Sequence, residues 1–443
     1  MKFKSMLVSN VFLLNLFIST SAGSDDATMD SIITWIRSKQ GGFFSDNIEI
    51  RRIDPADVTS YFGVFAKRDI KAKEDLMKIP HECYIEAWED ARVMGVEIPK
   101  DYDILDQVGF QTNTCLLSHK LRKELKLGKN SSFAPYITYL KSQKPGQLPA
   151  MWSTNGKDIL RKVLEPGSDG VDWMDWYFLF ETGTSSCISS DPFEMLTLTL
   201  TVQRGFDNSL IPVWDMVNHD SGGLINTETD SLYGDEGGVK VKAAVDIKAG
   251  EELFHSYIDS FDNNELYKEW GTFQILKNFG FVEGYPHRWI NYEKDVWFEI
   301  WEEPDGELRV SWPNEKTHGQ YHSDIVDTNT DTDTDTDDII DKWWKRLDGP
   351  PNARGIQYLG DELQRLRDVK VEIRNLRKTA PKDEWDIIMN YLKAAINDYS
   401  TALNATFKRN NSNTTTMSNK FKWDSIVNYN NGATMYDSSQ ETL

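Results

Sequence analysis

Cysteine is scarce in this chain: Cys83, Cys115 and Cys187 are the only three in 443 residues. Three thiols make at most one bridge, so no disulfide framework holds the fold, and their spacing matches no zinc site. Histidine supplies no cluster either, since His81, His219, His255, His287, His318 and His322 lack ligand spacing; no metal is expected. Basic residues are outnumbered, with 49 Lys and Arg against 70 Asp and Glu and a formal charge of −21. That balance excludes a protein whose affinity rests on phosphate contacts. No nucleic-acid partner is expected, and a basic protein segment is the better electrostatic match.

What the chain has in quantity is core material. Hydrophobic residues make up 39% and aromatic residues 12%, enough for a large buried interior in two or three domains. Met1 to Ala22 reads as a signal peptide: Lys2 and Lys4, then an apolar run from Met6 to Ile18 broken by Ser9, Asn10 and Asn15, then small residues up to Gly23. The run is too short and interrupted for a membrane span, so no stable span is expected once the leader is cut. The expected route is secretory, with a two-part plastid address as the alternative. Sequons at Asn130, Asn404, Asn410 and Asn413 are compatible with that passage.

Along the mature chain, Asp30 to Ile36 reads as a short helix ending near Gly41-Gly42. Phe62 to Ala66 and Leu76 to Ile79 read as strand, turn and strand, with Pro80 stopping the ladder. Asp69-Ile-Lys-Ala-Lys-Glu-Asp-Leu76 returns almost unchanged as Asp246-Ile-Lys-Ala-Gly-Glu-Glu-Leu253, which predicts two similar hairpins in one β domain. Helical stretches are expected around Leu117 to Leu127 and Trp173 to Phe180. Met195 to Val202 alternates and is rich in Thr, a strand pattern. Asp327 to Asp338 is a Thr-Asp tract with nothing to bury, expected as a disordered loop. After it, Leu359, Leu363, Leu366, Val369, Ile373 and Leu376, then Trp385, Ile388, Leu392, Ile396, Tyr399 and Leu403, recur at helical spacing on either side of Pro381 and predict an antiparallel helix pair. From 406 the Asn/Ser/Thr-rich tail reads as disordered.

The stretch that organises the chain is Ile211 to His219, Ile-Pro-Val-Trp-Asp-Met-Val-Asn-His, together with Ser256-Tyr257. Between them Val239 to Ala243 alternates as a half-buried strand, a turn follows at Gly250, and Leu253 to Tyr257 reads as the returning strand, placing Tyr257 at the end of a hairpin. Asn278-Phe-Gly-Phe-Val-Glu283 comes later. This order of motifs resembles the SET-domain methyltransferases, in the branch that contains the Rubisco large-subunit lysine methyltransferase and the actin-histidine methyltransferase. Phe133 to Leu140 and Pro149 to Trp152 resemble the Pro-Tyr-x-x-x-Leu and Pro-x-x-Trp signatures of that branch's insert.

The resemblance implies an α+β fold: a SET domain over 30–290, with a helical insert at about 88–203, and a C-terminal helical domain over 291–405. It implies a helix, against the alternating pattern, for the segment leading to Arg204, and it implies S-adenosyl-L-methionine as cofactor with a protein as substrate. For the cofactor it points to Tyr61, Phe62 and Gly63 as the glycine loop, to Arg204, Asp215, Asn218 and His219 for the amino-acid part and adenine, and to Phe279, Gly280 and Phe281 against the base. Asp215 is expected to brace its own loop. The first glycine of the loop is replaced by Tyr61, so either the loop opens or Tyr61 takes an allowed conformation.

Methyl transfer to an amine needs in-line approach, a dry channel and a neutral nucleophile, all of which are positioning tasks. Tyr257 is the expected channel residue, its hydroxyl directed at the amine or the methyl path. Phe206, two after Arg204, stands where the lysine enzymes carry an aromatic and the histidine enzyme an asparagine, and its face suits a lysine stem or methylated ammonium. Trp214 argues the other way, since the histidine enzyme also carries Trp-Asp-Met there. Lysine methylation of a non-histone protein is therefore expected, with histidine methylation as the alternative. A SET-fold binding module without catalysis and a secreted structural glycoprotein are the other classes that fit the leader and acidity.

Overall fold

Two near-copies of one phrase grip each other at the centre of the β structure. Asp69-Ile-Lys-Ala and Asp246-Ile-Lys-Ala run antiparallel through Ile70 and Ile247, which exchange N–H···O bonds of 2.9 and 3.0 Å. Asp246 accepts from the Ala72 N–H at 3.0 Å and pairs with Lys71 at 2.7 Å. Asp69 does the same with the Ala249 N–H at 3.0 Å and Lys248 at 2.9 Å. The match extends to backbone shape: Gly250 has φ +88°, and its counterpart Lys73 is held at φ +69°, a region that disfavours a side chain. Repetition in the sequence thus marks a reciprocal clasp.

This computed structural model describes residues 22–57, 60–86, 110–143, 148–164, 191–206, 209–230, 237–257, 271–291, 294–303, 305–312 and 350–413. The expected hairpins are not formed. Phe62–Ala66 pairs antiparallel with Ile48–Arg52, Ile50 opposite Val64, and its other edge meets 250–253, where the Leu253 N–H reaches the Val64 carbonyl at 2.7 Å. Asp75–Pro80 lies in a different, four-stranded sheet between Phe43–Phe44 and Gly238–Ala243, with Thr227–Asp230 beyond. Phe254–His255 does not return along Gly238–Ala243; it pairs parallel with Asn218–His219. Alternation reports which face of a strand is buried, not which strand lies beside it, and the clasp draws each strand to the opposite half of the repeat.

Helix Ala22–Arg37 begins eight residues before the expected start at Asp30 and buries Met29, Ile32 and Ile36 against these sheets. Each such side chain contributes roughly 1.5–3 kcal/mol on leaving water. The insert supplies helices Phe110–Leu127, Ala134–Ser142, Thr154–Val163 and Pro192–Arg204. In the last of these the helical expectation prevails over the alternating pattern. Asp191 caps it by accepting from the Phe193 and Glu194 N–H groups, and Pro192 sits in its first turn. Thr197, Thr199 and Thr201 return their hydroxyls to carbonyls of the preceding turn at 2.8–2.9 Å. With 197–202 buried throughout, Thr alternating with Leu no longer separates a wet face from a dry one.

A second core forms the C-terminal unit, and it is less purely helical than expected. His287–Asn291, Val296–Glu302 and Leu308–Ser311 make a three-stranded antiparallel sheet. Trp289, Phe298 and Ile300 from that sheet pack with Leu359, Leu363, Ile388 and Leu392 of helices Ala353–Ile373 and Lys382–Asn413. The insert helix Thr154–Val163 joins this core through Ile159, Leu160 and Val163. Glu384 fixes it there, accepting from the Ser153 N–H at 2.8 Å and the Ser153 hydroxyl at 2.6 Å. Helix Lys382–Asn413 runs past 406, where the tail was expected to begin. The leader up to residue 21, the stretch 173–180, the tract 327–338 and everything beyond 413 lie outside the described residues. Among the cysteines, Cys83 is free and buried, and Cys115 is disulfide-bonded.

Candidate active site

Two dipeptides 36 residues apart meet in the parallel pairing of Asn218 with Phe254 and His219 with His255. Two residues beyond the pairing, the Tyr257 N–H donates to His219 Nδ1 at 2.9 Å. The Tyr257 ring lies 4.9 Å from the His219 ring at 29° and 4.6 Å from Phe279, and its hydroxyl is 3.3 Å from the Val217 carbonyl. Burial pushes the Tyr257 phenol well above its ordinary pKa, so it is a neutral hydrogen-bonding group at physiological pH.

His219 is wholly enclosed. Its Nε2 faces the Glu283 carboxylate at 3.0 Å, and Ser221 and Thr272 donate to the same carboxylate. Because Nδ1 accepts from Tyr257, the proton sits on Nε2, which fixes the tautomer. The histidine side chain therefore holds Tyr257 and has no group left over for a ligand. Glu283 belongs to the Phe-Gly-Phe motif, in which Phe279 closes helix Thr272–Phe279, Gly280 caps it at φ 81°, and Phe281 comes within 6.2 Å of His219. A side chain is disfavoured at the φ that Gly280 adopts, which ties this glycine to the turn.

Asn218 points to the other side of the pairing. Its amide donates to the Phe62 carbonyl at 3.2 Å and to Glu252 Oε1 at 2.6 Å. A Cβ built on Gly63 would meet that same carboxylate and displace it, so Gly63 matters here through close approach and not through positive φ. Tyr61 likewise avoids positive φ; its carbonyl continues the strand ladder with the Ile53 N–H at 2.9 Å, and its side chain is 47% exposed. The allowed-conformation alternative is thus the one realised. The Phe62 ring is core, against Tyr139 at 5.8 Å. Burial holds the Glu252 carboxyl above its ordinary pKa although the Asn218 amide and Arg51 favour its charge.

Arg204 and Asp215 are joined at 3.1 Å with side-chain exposures of 12% and 2%. The guanidinium also reaches the Asp215 carbonyl at 3.2 Å and Gln143 at 2.9 Å, and lies 5.1 Å from the Tyr139 ring. Tyr136 donates to Asp215 at 2.8 Å. Asp215, Arg204 and Tyr136 thus form one buried brace. It steadies the turn Trp214–Met216, which follows Val213 at φ +68°, a strained setting for a β-branched residue. Trp214 is 3% exposed and lies against the His255 ring at 4.2 Å, tilted by 48°, while Phe206 is half-buried in the short strand Gly205–Phe206 opposite Ser209.

Three participants carried no assigned role in the sequence analysis. Tyr136 sits inside the Pro-Tyr-x-x-x-Leu signature and Glu283 ends the Phe-Gly-Phe motif, so both lay in motifs that invited a closer look. Glu252 replaces Asp75 in the second copy of the repeat, a difference that gave no hint of a site. An open cleft of about 370 Å3, lined by Arg37, Phe43 and Arg68 among others, shares no residue with this constellation.

His255 titrates abnormally: burial and the neighbouring His219 pull its pKa down to about 3. Below about pH 6.5 the unfolded chain takes up a proton there that the folded protein refuses, so this stability is present above that pH and is lost on acidification. In urea denaturation, His255→Phe should gain on the wild type by about 1.4 kcal/mol between pH 8 and pH 5.5. A gap that does not change with pH would contradict a neutral, buried His255.

The SET-domain family model matches residues 61–258. Over that stretch the chain is a SET domain, of mixed α+β architecture with short sheets, followed by C-terminal helices. No curated protein matches the sequence. Among solved structures, Rubisco LSMT bound to sinefungin and monomethyllysine is similar at 12% identity and TM-score 0.45, over 91% of this chain and 99% of that one. Rubisco LSMT bound to AdoMet gives 13%, 0.43, 91% and 99%. The SET domain of LSMT bound to lysine and AdoHcy gives 12%, 0.44, 85% and 89%. No helix among the described residues is long and apolar enough to cross a membrane.

Proposed function

We propose that this chain is an S-adenosyl-L-methionine-dependent protein-lysine N-methyltransferase acting on a non-histone protein. The observation that carries the reading is the pairing of Asn218-His219 with Phe254-His255, which sets Tyr257 beside Phe279 at one end and Asn218 beside Gly63 at the other. The residues present fit such a cofactor. The Phe62 carbonyl, the Asn218 amide and the Glu252 carboxylate gather oxygen acceptors at a glycine, suited to the ammonium of an amino-acid moiety. Phe279 and Phe281 offer ring faces for a base. When bound, the cofactor supplies a sulfonium methyl group.

The protein's own part is to orient and dry the amine. Tyr257, neutral and held by its backbone N–H, presents a hydroxyl that can accept a proton-bearing amine or donate to its lone pair. Phe206 supports lysine over histidine, since its ring cannot hydrogen-bond an imidazole but can face an ammonium. Trp214, which argued for histidine, is spent on His255 and has 3% of its surface left. The net charge of −21 favours a basic substrate segment. The leader reading extends this to a secretory route, supported by exposed Asn130 and Asn404 within sequons.

Calorimetry with S-adenosyl-L-methionine tests the cofactor assignment. The wild type should bind, and Asn218→Ala should weaken binding by about 1–3 kcal/mol, the usual effect of unpairing buried polar groups. Equal affinity in the two proteins would remove Asn218 from the pocket, and no binding by either would favour a SET-fold binding module.

A further inference from the structure

We propose that helix Lys382–Asn413 sets the position of Tyr257 through a buried relay, Asp398 to His287 to Glu283 to His219, which makes Asp398 and His287 positioning residues. The relay joins the two cores. Asp398, on the helix, lies 2.7 Å from His287 Nδ1, and His287 Nε2 lies 3.0 Å from the Glu283 carbonyl. The Glu283 carboxylate is 3.0 Å from His219 Nε2, and His219 Nδ1 is 2.9 Å from the Tyr257 N–H. Side-chain exposures along it are 0% for Asp398, 6% for His287, 2% for Glu283 and 0% for His219, so water does not substitute for any link.

Proton placement makes the relay directional. Both nitrogens of His287 face acceptors, so both must donate, and the ring is an imidazolium. Burial opposes that charge, but the hydrogen bond and the charge of Asp398 outweigh it and hold His287 above its ordinary pKa. The groups around His287 are Asp398 from the helix, the Tyr285 ring at 4.2 Å, Trp289 of its own strand, and Glu283. Asp398 also accepts from Trp289 Nε1 at 2.8 Å and from the Tyr285 hydroxyl at 3.3 Å; burial raises its pKa, and these two donors with His287 favour its ionised form against that burial. A neutral His287 has one proton for two acceptors. The bond to the carboxylate is the stronger, so the Glu283 carbonyl is the link released. Glu283 in turn fixes the His219 tautomer on which the Tyr257 backbone hangs.

With the folded pKa of His287 raised, the stability it contributes is present below its unfolded value near 6.5 and is lost as pH rises through the folded value. The relay itself is independent of any ligand; only its consequence for rate rests on the reading of Tyr257 given above. The test is a titration of ring-15N-histidine in the cofactor-free protein from about pH 6 to 9 by NMR. His287 should show two protonated nitrogens above its ordinary pKa, and His219 should shift with the same midpoint. Asp398→Asn, nearly isosteric, should lower that midpoint by about one unit or more. It should also slow single-turnover methyl transfer about tenfold or more, as misplacement of a reacting group does, with cofactor affinity unchanged.

A His219 that does not respond to His287 overturns the relay. So does an Asp398→Asn protein that loses thermal stability but keeps its rate and its His219 resonances. Should that variant fail to fold, the wild-type titration decides alone. Coupled titration without any methyl transfer would leave the relay standing and remove the enzyme reading.

Discussion

Tyr257→Phe is expected to lower methyl-transfer turnover by about one to three orders of magnitude, the scale of losing one positioned polar group in a transition state. The substitution isolates the hydroxyl. The Tyr257 backbone is held by His219 and its ring is flanked by His219 and Phe279, contacts that phenylalanine keeps. Only a long hydrogen bond to the Val217 carbonyl, 3.3 Å, is lost from the folded protein, so stability should fall by no more than about 1 kcal/mol. Cofactor affinity should hold, because the acceptors at Phe62, Asn218 and Glu252 lie on the other side of the pairing. Steady-state turnover with calorimetry on the same preparation separates these effects. Unchanged turnover would remove Tyr257 from the chemistry.

Arg204→Met is expected to cost about 3–5 kcal/mol of folding free energy, the usual result of stripping one partner from a buried ion pair. Asp215 would keep only the Tyr136 hydroxyl, and its second oxygen, Oδ1, already lacks a partner among the described residues. Burial holds Asp215 above its ordinary pKa even with Arg204 beside it, so without the guanidinium it should protonate. The pair also steadies the turn that carries Trp214 toward Asn218, and cofactor affinity should fall with stability. Arg204→Met combined with Asp215→Leu should recover much of the loss, because no unpaired charge is then buried. Urea denaturation of the two single variants and the double variant measures this. A single-variant loss under about 1 kcal/mol would mean that the pair is solvated and is not the brace.

The candidate site was legible in the sequence wherever it depended on residue type at fixed spacing. Asn218, His219 and Tyr257 meet, and Phe279, Gly280 and Phe281 lie beside them. Pairing partners were not legible. Gly238–Ala243 alternates as expected, yet alternation carries no information about its neighbour, Asp75–Pro80, which comes from the other half of the repeat. Roles within the motifs were also hidden: Asn218-His219 reads as a single dipeptide, but the pleat sends its two side chains to opposite faces, one toward Gly63 and one into Glu283. For Pro192–Arg204 the Thr-rich pattern misled because every face of that helix is buried and its hydroxyls bond within the helix.

The most direct measurement is peptide mapping by mass spectrometry after the purified protein is incubated with isotopically labelled S-adenosyl-L-methionine and a protein extract, with Tyr257→Phe run in parallel. Methyl transfer to a lysine in a basic segment, present with the wild type and strongly reduced with Tyr257→Phe, is the predicted result. Label on histidine and none on lysine would overturn the Phe206 argument, and no labelled residue at all would contradict the assignment of this chain as a protein methyltransferase.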